Sequence, residues 1–293
     1  MLSNRIPYTA IVDRPKLFLP NKKKMAVWVI LNVEHWSIDK PMPRTVLPPP
    51  MGKPLIPDVP NWSWHEYGMR SGFWRQYQAL VTRKIPTTLA INGNVCVSYP
   101  RIASAALEAG WEFMGHGFLQ GPMHNLEDQE KEICKALDTI EQFSGTRPTS
   151  WESPGLTETA ETVDLLRKHG VKYVADWVID DLPETIDTPH GTMTTIPYTV
   201  ETNDITVYAL QAHRSPEFFD RGRDQFDRLY AEAEHNARVM AISIHPYITG
   251  VPHRIKYLEA LLDYIGSHEE VEWMTASQIG DWYGSELQRL SGK

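Results

Sequence analysis

Beyond about residue 20 the chain keeps one rhythm: a short apolar, β-branched run, then an amphipathic segment, then another apolar run. Met25–Leu31, reading MAVWVIL behind Lys22–Lys24, is apolar without alternation, as expected of a strand covered on both faces. Thr87–Ile91, Trp111–Met114, Val171–Val178, Val239–Ile244 and Val271–Met274 repeat the theme. Between them the pattern predicts helices over Gly72–Val81, Tyr99–Ala109, Thr157–His169, Arg221–Ala237, Val251–Ser267 and Thr275–Leu287. Another is expected to be capped by Asn125, with Glu127 and Asp128 in its first turn and Gly145 as its stop. Strand-then-helix order demands parallel strands with crossover helices. With 293 residues, no internal repeat and no linker, this predicts one α/β domain over 1–293, a (β/α) TIM-like barrel.

One stretch breaks the rhythm. Residues 39–63 hold eight prolines and little periodicity, and an excursion of this kind serves as a lid or an assembly arm. Composition removes several classes of function. With 29 Lys+Arg against 37 Asp+Glu, the net charge of −8 repels phosphate backbones, so no nucleic-acid partner is expected. The N-terminus has no apolar leader, and the longest apolar run, Met25–Val33, is too short for a bilayer. Cys96 and Cys134 make neither a disulfide framework nor a zinc ribbon. A cytoplasmic protein without a membrane partner is the expectation. The ten tryptophans suit a large core, a pocket for a flat ligand or a sugar cleft.

In such a barrel the chemistry gathers at the C-terminal ends of strands. Those positions hold Asn32-Val33-Glu34-His35-Trp36, Asn92-Gly93-Asn94, Gly115-His116-Gly117, Trp151-Glu152-Ser153-Pro154-Gly155, Asp176, Asp180-Asp181 and His245-Pro246. Ionisable groups directly after apolar strands are costly to bury alone, so their clustering marks a site. Glu34, His116 and His245 are the candidate catalytic residues. Asn92, Trp36, Trp151, Glu152 and Asp180 are candidate substrate contacts. Each also has a structural reading: Glu34 pairing with Arg70 or Arg75, His116 bonding a carbonyl, Asp180-Asp181 capping a turn. Glycines flanking His116 let a backbone or ligand approach closely. Trp36, Trp151 and Trp177 are placed at the mouth, and Trp62, Trp64 and Trp74 beside the excursion. Trp28, Trp111, Trp273 and Trp282 are placed in the core.

Six ordered segments carry a resemblance. They are Leu31–Glu34, Tyr67–Arg75, Gly115–Gly117, Gly145–Pro148 leading to Ser153–Gly155, Ile196–Asp204, and Ile244–His245 through Arg254. Over about residues 20–285 the chain resembles the polysaccharide deacetylase-like superfamily, in the branch typified by metal-independent allantoinase. The resemblance implies a distorted, incomplete barrel of about seven parallel strands. It also implies hydrolysis of non-peptide carbon–nitrogen bonds and a homo-oligomer, tetramer or dimer. Glu34 falls on the family's catalytic base and His35 on its metal-binding aspartate. His116 falls on the first metal histidine, but Gln120 stands where the second belongs, and His124 lies further on. Two imidazoles and an amide make a poor zinc set, so no cofactor is expected, with zinc on His35 and His116 as the alternative. The implied reaction is ring opening of a small cyclic amide, ureide or imide. Glu34 activates water, His245 protonates nitrogen, and His116, Asn92 and Asn94 orient water or stabilise the oxyanion. The rivals are a metal-dependent N-deacetylase of amino sugars or polysaccharide, and a binding module without turnover.

Overall fold

A computed structural model describes residues 4–292. The apolar run behind the lysines becomes β1 (Met25–Val33), buried along its whole length. The chain then passes through α1 (Val59–Tyr67), a π turn at Gly68–Gly72 and α2 (Phe73–Thr82) to β2 (Thr87–Ile91). Next come α3 (Val95–Ser98), α4 (Pro100–Glu108), β3 (Glu112–Gly115), α5 (Gln129–Ser144) and β4 (Ser150–Trp151). They are followed by α6 (Thr162–Lys168), β5 (Tyr173–Val174), β6 (Glu184–Ile186) and β7 (Met193–Thr195). The last elements are α7 (Glu217–Glu232), β8 (Arg238–Ile244), α8 (Ile255–Gly266), β9 (Val271–Trp273) and α9 (Ala276–Ser291).

Among the described residues the strands form one sheet in the order β6-β7-β5-β4-β3-β2-β1-β8, with β9 also on β1. All ladders are parallel except β6–β7. Between the terminal strands β6 and β8 no ladder closes the ring; single bonds from Ser243 N to Thr202 O and from Val239 N to Asp181 O span part of it. The result is the curled half-barrel expected, with the β6–β7 hairpin as an addition the sequence reading missed.

Successive residues of a strand face opposite ways, and β1 shows why its apolar run is unbroken. Met25, Val27, Val29, Leu31 and Val33 pack in the cluster that holds Phe73 of α2 and Leu258 of α8. Ala26, Trp28 and Ile30 pack in a second cluster with Ala90, Met114 and Ala241 from β2, β3 and β8. Continuing the second set by twos gives Asn32 and then Glu34, and continuing β8 from Val239 and Ala241 gives Ser243 and then His245. Asn32 Nδ2 and Ser243 Oγ meet at 2.9 Å across that inner face. Strand periodicity thus aims Glu34 and His245 at one another.

Several sequence-derived boundaries move for local reasons. Asp128, not Asn125, caps α5 by accepting from Lys131 N at 2.9 Å; Asn125 ends a 3₁₀ turn instead. The α6 helix starts at Thr162 rather than Thr157, because the Thr157 hydroxyl is held on Pro154 O. The strand expected over Val171–Val178 shrinks to Tyr173–Val174, and Asp176 beyond it accepts from Ser153 N at 2.7 Å. The α7 helix runs Glu217–Glu232, not Arg221–Ala237.

The α1–α2 segment lies backbone to backbone on the loop after His245. A Cβ on Gly72 would sit 2.0 Å from Pro246 O, and one on Gly68 would sit 2.4 Å from Tyr247 N. Gly72→Ala is therefore expected to cost about 1–3 kcal/mol, as overpacking does, and to displace His245. A fall in the urea midpoint together with a lower kcat checks this.

Candidate active site

Glu34, one residue past β1, is buried, and both carboxylate oxygens are engaged. Oε1 accepts from Gln120 Nε2 at 2.9 Å and lies 3.6 Å from His245 Nε2. Oε2 accepts from Trp36 Nε1 at 2.6 Å and is 3.4 Å from the Tyr247 hydroxyl. Burial pushes the Glu34 carboxyl above its usual range, opposed by His245, Trp36, Arg44 and Tyr247. His65 Nε2 donates to Glu34 O at 3.1 Å, and its ring stacks on Trp36 at 4.5 Å. Burial brings its pKa down to about 3, so His65 stays neutral.

His245 is held from behind. Its Nδ1 donates to Asp204 Oδ1 at 2.7 Å, and its backbone N donates to Asp204 Oδ2 at 2.7 Å. The Thr249 hydroxyl donates to the same carboxylate. With the proton on Nδ1, Nε2 presents a lone pair toward Glu34. Two acceptors facing across 3.6 Å make a place for a proton donor, such as a water that donates to both. Asp204 and Tyr247 had no role in the sequence reading, although one stood in a recognised segment and the other stood two residues after His245.

His116 faces the same interior. Its Nδ1 donates to Glu152 O at 2.7 Å, and its buried Nε2 has no partner among the described residues. Burial lowers its pKa to about 4. A neutral His116 with its proton on Nδ1 offers an acceptor, which suits orienting a water or a substrate N–H but not stabilising an oxyanion. Glu152 is also buried, with Oε2 unpartnered. Burial, then the nearby Asp176, raise its carboxyl well above the usual range.

Other candidates are structural. Trp151 was expected at the mouth, but with Glu152 turned inward its neighbour must turn outward. It is fully buried in the cluster with Leu137 and Val163, its ring where a Cβ on Gly115 would lie, only 2.5 Å away. That contact, rather than ligand access, explains the glycine before His116. Asn92 spends both ends of its amide on backbone, accepting from His35 N at 2.7 Å and donating to His116 O. It clamps the strand ends and is closed to substrate. Asn94 is likewise occupied, on His35 Nδ1 at 3.0 Å. Asp180 pairs with Arg14 at 3.0 Å and accepts from Leu182 N, a turn anchor rather than a substrate contact. Trp36 is buried and serves Glu34 rather than lining an open wall. Arg70 and Arg75 pair elsewhere, with Glu66 and with Gly250 O.

The possible zinc set does not assemble. His35 follows Glu34 and turns away from it, lying against Tyr99 with Nδ1 on Asn94. His124 is exposed. No three His, Cys, Asp or Glu side chains among the described residues converge as ligands for a metal ion. A catalytic zinc takes three such donors, so the residues present do not fit it. Beside the site, a cavity of about 660 Å³ is lined by His35, Lys40, Met42, Phe118 and Gln120, among others. Gln120 thus bonds Glu34 on one side and faces the cavity on the other.

A carboxylate and an imidazole at the C-terminal strand ends of a half-barrel are the means by which a hydrolase activates water. Residues 63–174 match the polysaccharide deacetylase family model. A Schizosaccharomyces pombe protein named as a polysaccharide deacetylase is 29% identical over 237 residues, 74% of this chain and 74% of that protein. The crystal structure of PuuE allantoinase superposes with a TM-score of 0.84 at 26% identity, covering 93% of this chain and 94% of that one. A Pseudomonas aeruginosa PAO1 structure, also named as a polysaccharide deacetylase, shares the fold with a TM-score of 0.85 at 24% identity, over 94% and 95% of the two chains. The chain is thus similar in sequence to proteins named as deacetylases and, over most of its length, in structure to an allantoinase. No helix among the described residues is long and apolar enough to cross a membrane.

Proposed function

We propose that the chain opens the ring of a small cyclic amide, ureide or imide, with Glu34 as base and His245 as the group that returns the proton. The observation that carries this is the facing pair of Glu34 Oε1 and His245 Nε2, 3.6 Å apart, with Asp204 behind the imidazole. A water in that gap gives a proton to Glu34 while its oxygen attacks the ring carbonyl. The proton passes to His245 Nε2, and the imidazolium, stabilised by Asp204, releases it to the nitrogen as the C–N bond breaks. One water is consumed and one ring opened. The Tyr247 hydroxyl, kept protonated by burial, and the Gln120 amide are the donors beside Glu34 that can meet the developing oxyanion. A second carbonyl or ureido nitrogen on the substrate activates the first, which suits a site whose residues do not fit zinc.

A panel of hydantoins, dihydropyrimidines, cyclic imides and N-acetyl sugars tests the reading. Turnover is expected for rings and not for sugars. Dialysis against a chelator is expected to leave kcat unchanged, with no stoichiometric zinc by atomic emission. Activity on N-acetyl sugars that is lost in chelator and restored by zinc would establish the amino-sugar deacetylase instead. Binding without turnover of any panel member would establish the binding module.

Self-association is part of the proposal. Val46, Leu47, Met51, Leu55, Ile56 and Val59, all on the proline-rich excursion, are each at least half exposed. Sedimentation is expected to give a dimer or tetramer, and deletion of residues 40–60 is expected to shift it to monomer.

A further inference from the structure

Glu34, His116, His245 and Tyr247 are buried, whereas Gln120, whose Nε2 donates to Glu34 Oε1 at 2.9 Å, is only half-buried. Gln120 also lines the cavity of about 660 Å³, so a single side-chain amide stands between the base and that space. The wall is predominantly apolar and is assembled from distant parts of the chain. Met42 comes from the proline-rich excursion, Phe118, Leu119 and Leu126 from the connection between β3 and α5, and Pro154 from the loop after β4. These parts are tied down. Met42 packs against the core cluster that contains Trp36 and Tyr247. Further along the excursion, Asn61 of α1 accepts from Val46 N at 2.8 Å and Leu47 N at 3.0 Å. Asn94 N donates to Phe118 O at 3.0 Å, and Gln120 N donates to His35 O at 3.2 Å. Of the two lysines at the cavity, Lys135 holds its ammonium 3.6 Å from the centre of the Phe118 ring, and Lys40 is exposed.

Small-molecule sites occupy roughly 300–1,000 Å³ and are mostly apolar, with a few placed polar groups. This cavity has that size and that wall, and its polar end is the Gln120 amide that leads to Glu34. A bare hydantoin-sized ring drawn up to Glu34 would leave the apolar wall to water. We infer that the cavity is a subsite for an apolar substituent, aryl or branched alkyl, on the ring to be opened, with Gln120 at the junction of substituent and reacting carbonyl. The inference rests on the proposed ring-opening reaction for the ring and adds what the ring carries. Through Met42 it also makes the excursion a wall of its own chain's binding site. An apolar group gains from the area it removes from water. Those contacts are the same in ground and transition states, so they lower KM and leave kcat nearly as it was.

Three probes share one ring: hydantoin, 5-benzylhydantoin and hydantoin-5-acetic acid. The wild-type chain is expected to favour the benzyl compound over hydantoin in kcat/KM by roughly 10- to 100-fold, chiefly through KM, as burial of a phenyl-sized group is worth. The acid is expected to gain no such factor. Two variants narrow the cavity from different points of its wall, Gly121→Trp and Leu126→Trp. A Cβ on Gly121 meets nothing within 4 Å, so that position takes a side chain without overpacking. At least one variant, shown by its melting curve to be folded, is expected to lower the benzyl-to-hydantoin ratio about tenfold. A ratio that neither lowers, or a preference for the acid over the benzyl compound, overturns the inference and spares the ring-opening reaction. Calorimetric titration of the three probes into Glu34→Gln separates the two claims. Tightest binding of the benzyl compound, weakened by Gly121→Trp or Leu126→Trp, upholds the inference even if the wild type opens no ring. Equal binding of 5-benzylhydantoin and hydantoin, or binding of neither, overturns it.

Discussion

Glu34→Gln is expected to abolish turnover and, at neutral pH, to raise the melting temperature. The first effect follows from losing the group that takes the water proton, a contribution of roughly 10²–10⁴-fold. The second follows from linkage. Burial raises the folded-state pKa of Glu34 above its unfolded value. Between those two values the native state binds more protons than the unfolded one, so stability falls as pH rises through the interval. Above it, the native state pays in full for an ionised carboxylate out of water. A neutral amide removes that cost. It also fits the partners, since Trp36 Nε1 can donate to the new oxygen while the Gln120 amide turns its own oxygen to the new NH₂. Each kcal/mol recovered is worth about 2–4 °C in Tm. Melting curves of both proteins at pH 4 and pH 8 check the sign, and the difference should be larger at pH 8. In the wild type, kcat/KM should rise with pH through the same raised carboxyl. His116, with its pKa near 4, adds no second charge above that pH. A Glu34→Gln chain that turns over an accepted ring at the wild-type rate would falsify the assignment of the base.

Much of this site was legible in the residues, but one signal was left unused. The rhythm of apolar runs located most of the strands, and the ionisable residues after them located Glu34, His116 and His245. The unbroken apolar runs mark what is strand, and the period of two along them marks which way each strand end points. It turns Trp151 away from the mouth that Glu152 faces, and it puts Glu34 and His35 on opposite faces. Counting by twos from Trp28 through Ile30 and Asn32 reaches Glu34, and His35 falls on the other face. What local pattern could not show is tertiary. Nothing near Asn92 in sequence says that its amide is spent on His35 N and His116 O. Asp180 looked like any acid near a strand end until Arg14, far away in the chain, met it. Residues 39–63 gave no periodicity because prolines and a side-chain clamp at Asn61 shape much of that stretch before α1 begins. Of the ten tryptophans, Trp36 joins the site as a hydrogen-bond donor and Trp151 joins the core. The aromatic wall expected from composition is therefore narrower than the count suggested.

Asp204→Asn is the second change expected to cost most of the activity, through His245 rather than through any contact with substrate. Asp204 is fully buried and accepts from the His245 backbone N, from His245 Nδ1 and from the Thr249 hydroxyl. An asparagine keeps the shape but has one oxygen where two were needed, so an NH₂ must face one of those donors or the imidazole must change tautomer. If the amide donates to Nδ1, the ring proton moves to Nε2 and His245 no longer presents a lone pair toward Glu34. It also loses the charge that stabilises the imidazolium formed during proton return. In serine-protease triads the matching change lowers kcat about 10⁴-fold while the geometry survives; here roughly 10³–10⁴-fold is expected. A structural role alone would move stability and KM along with kcat. A positioning role predicts a fall in kcat with KM nearly unchanged and a shifted pH–rate profile. Nitrogen-15 NMR of the His245 ring should then show the proton transferred from Nδ1 to Nε2. Thr249→Val supplies the contrast, because it removes one donor to the Asp204 carboxylate and leaves the Nδ1 bond in place. It is expected to cost less than Asp204→Asn and to leave the tautomer as it was. If Asp204→Asn keeps the wild-type kcat while the NMR shows the altered tautomer, His245 does not carry the proton back to nitrogen.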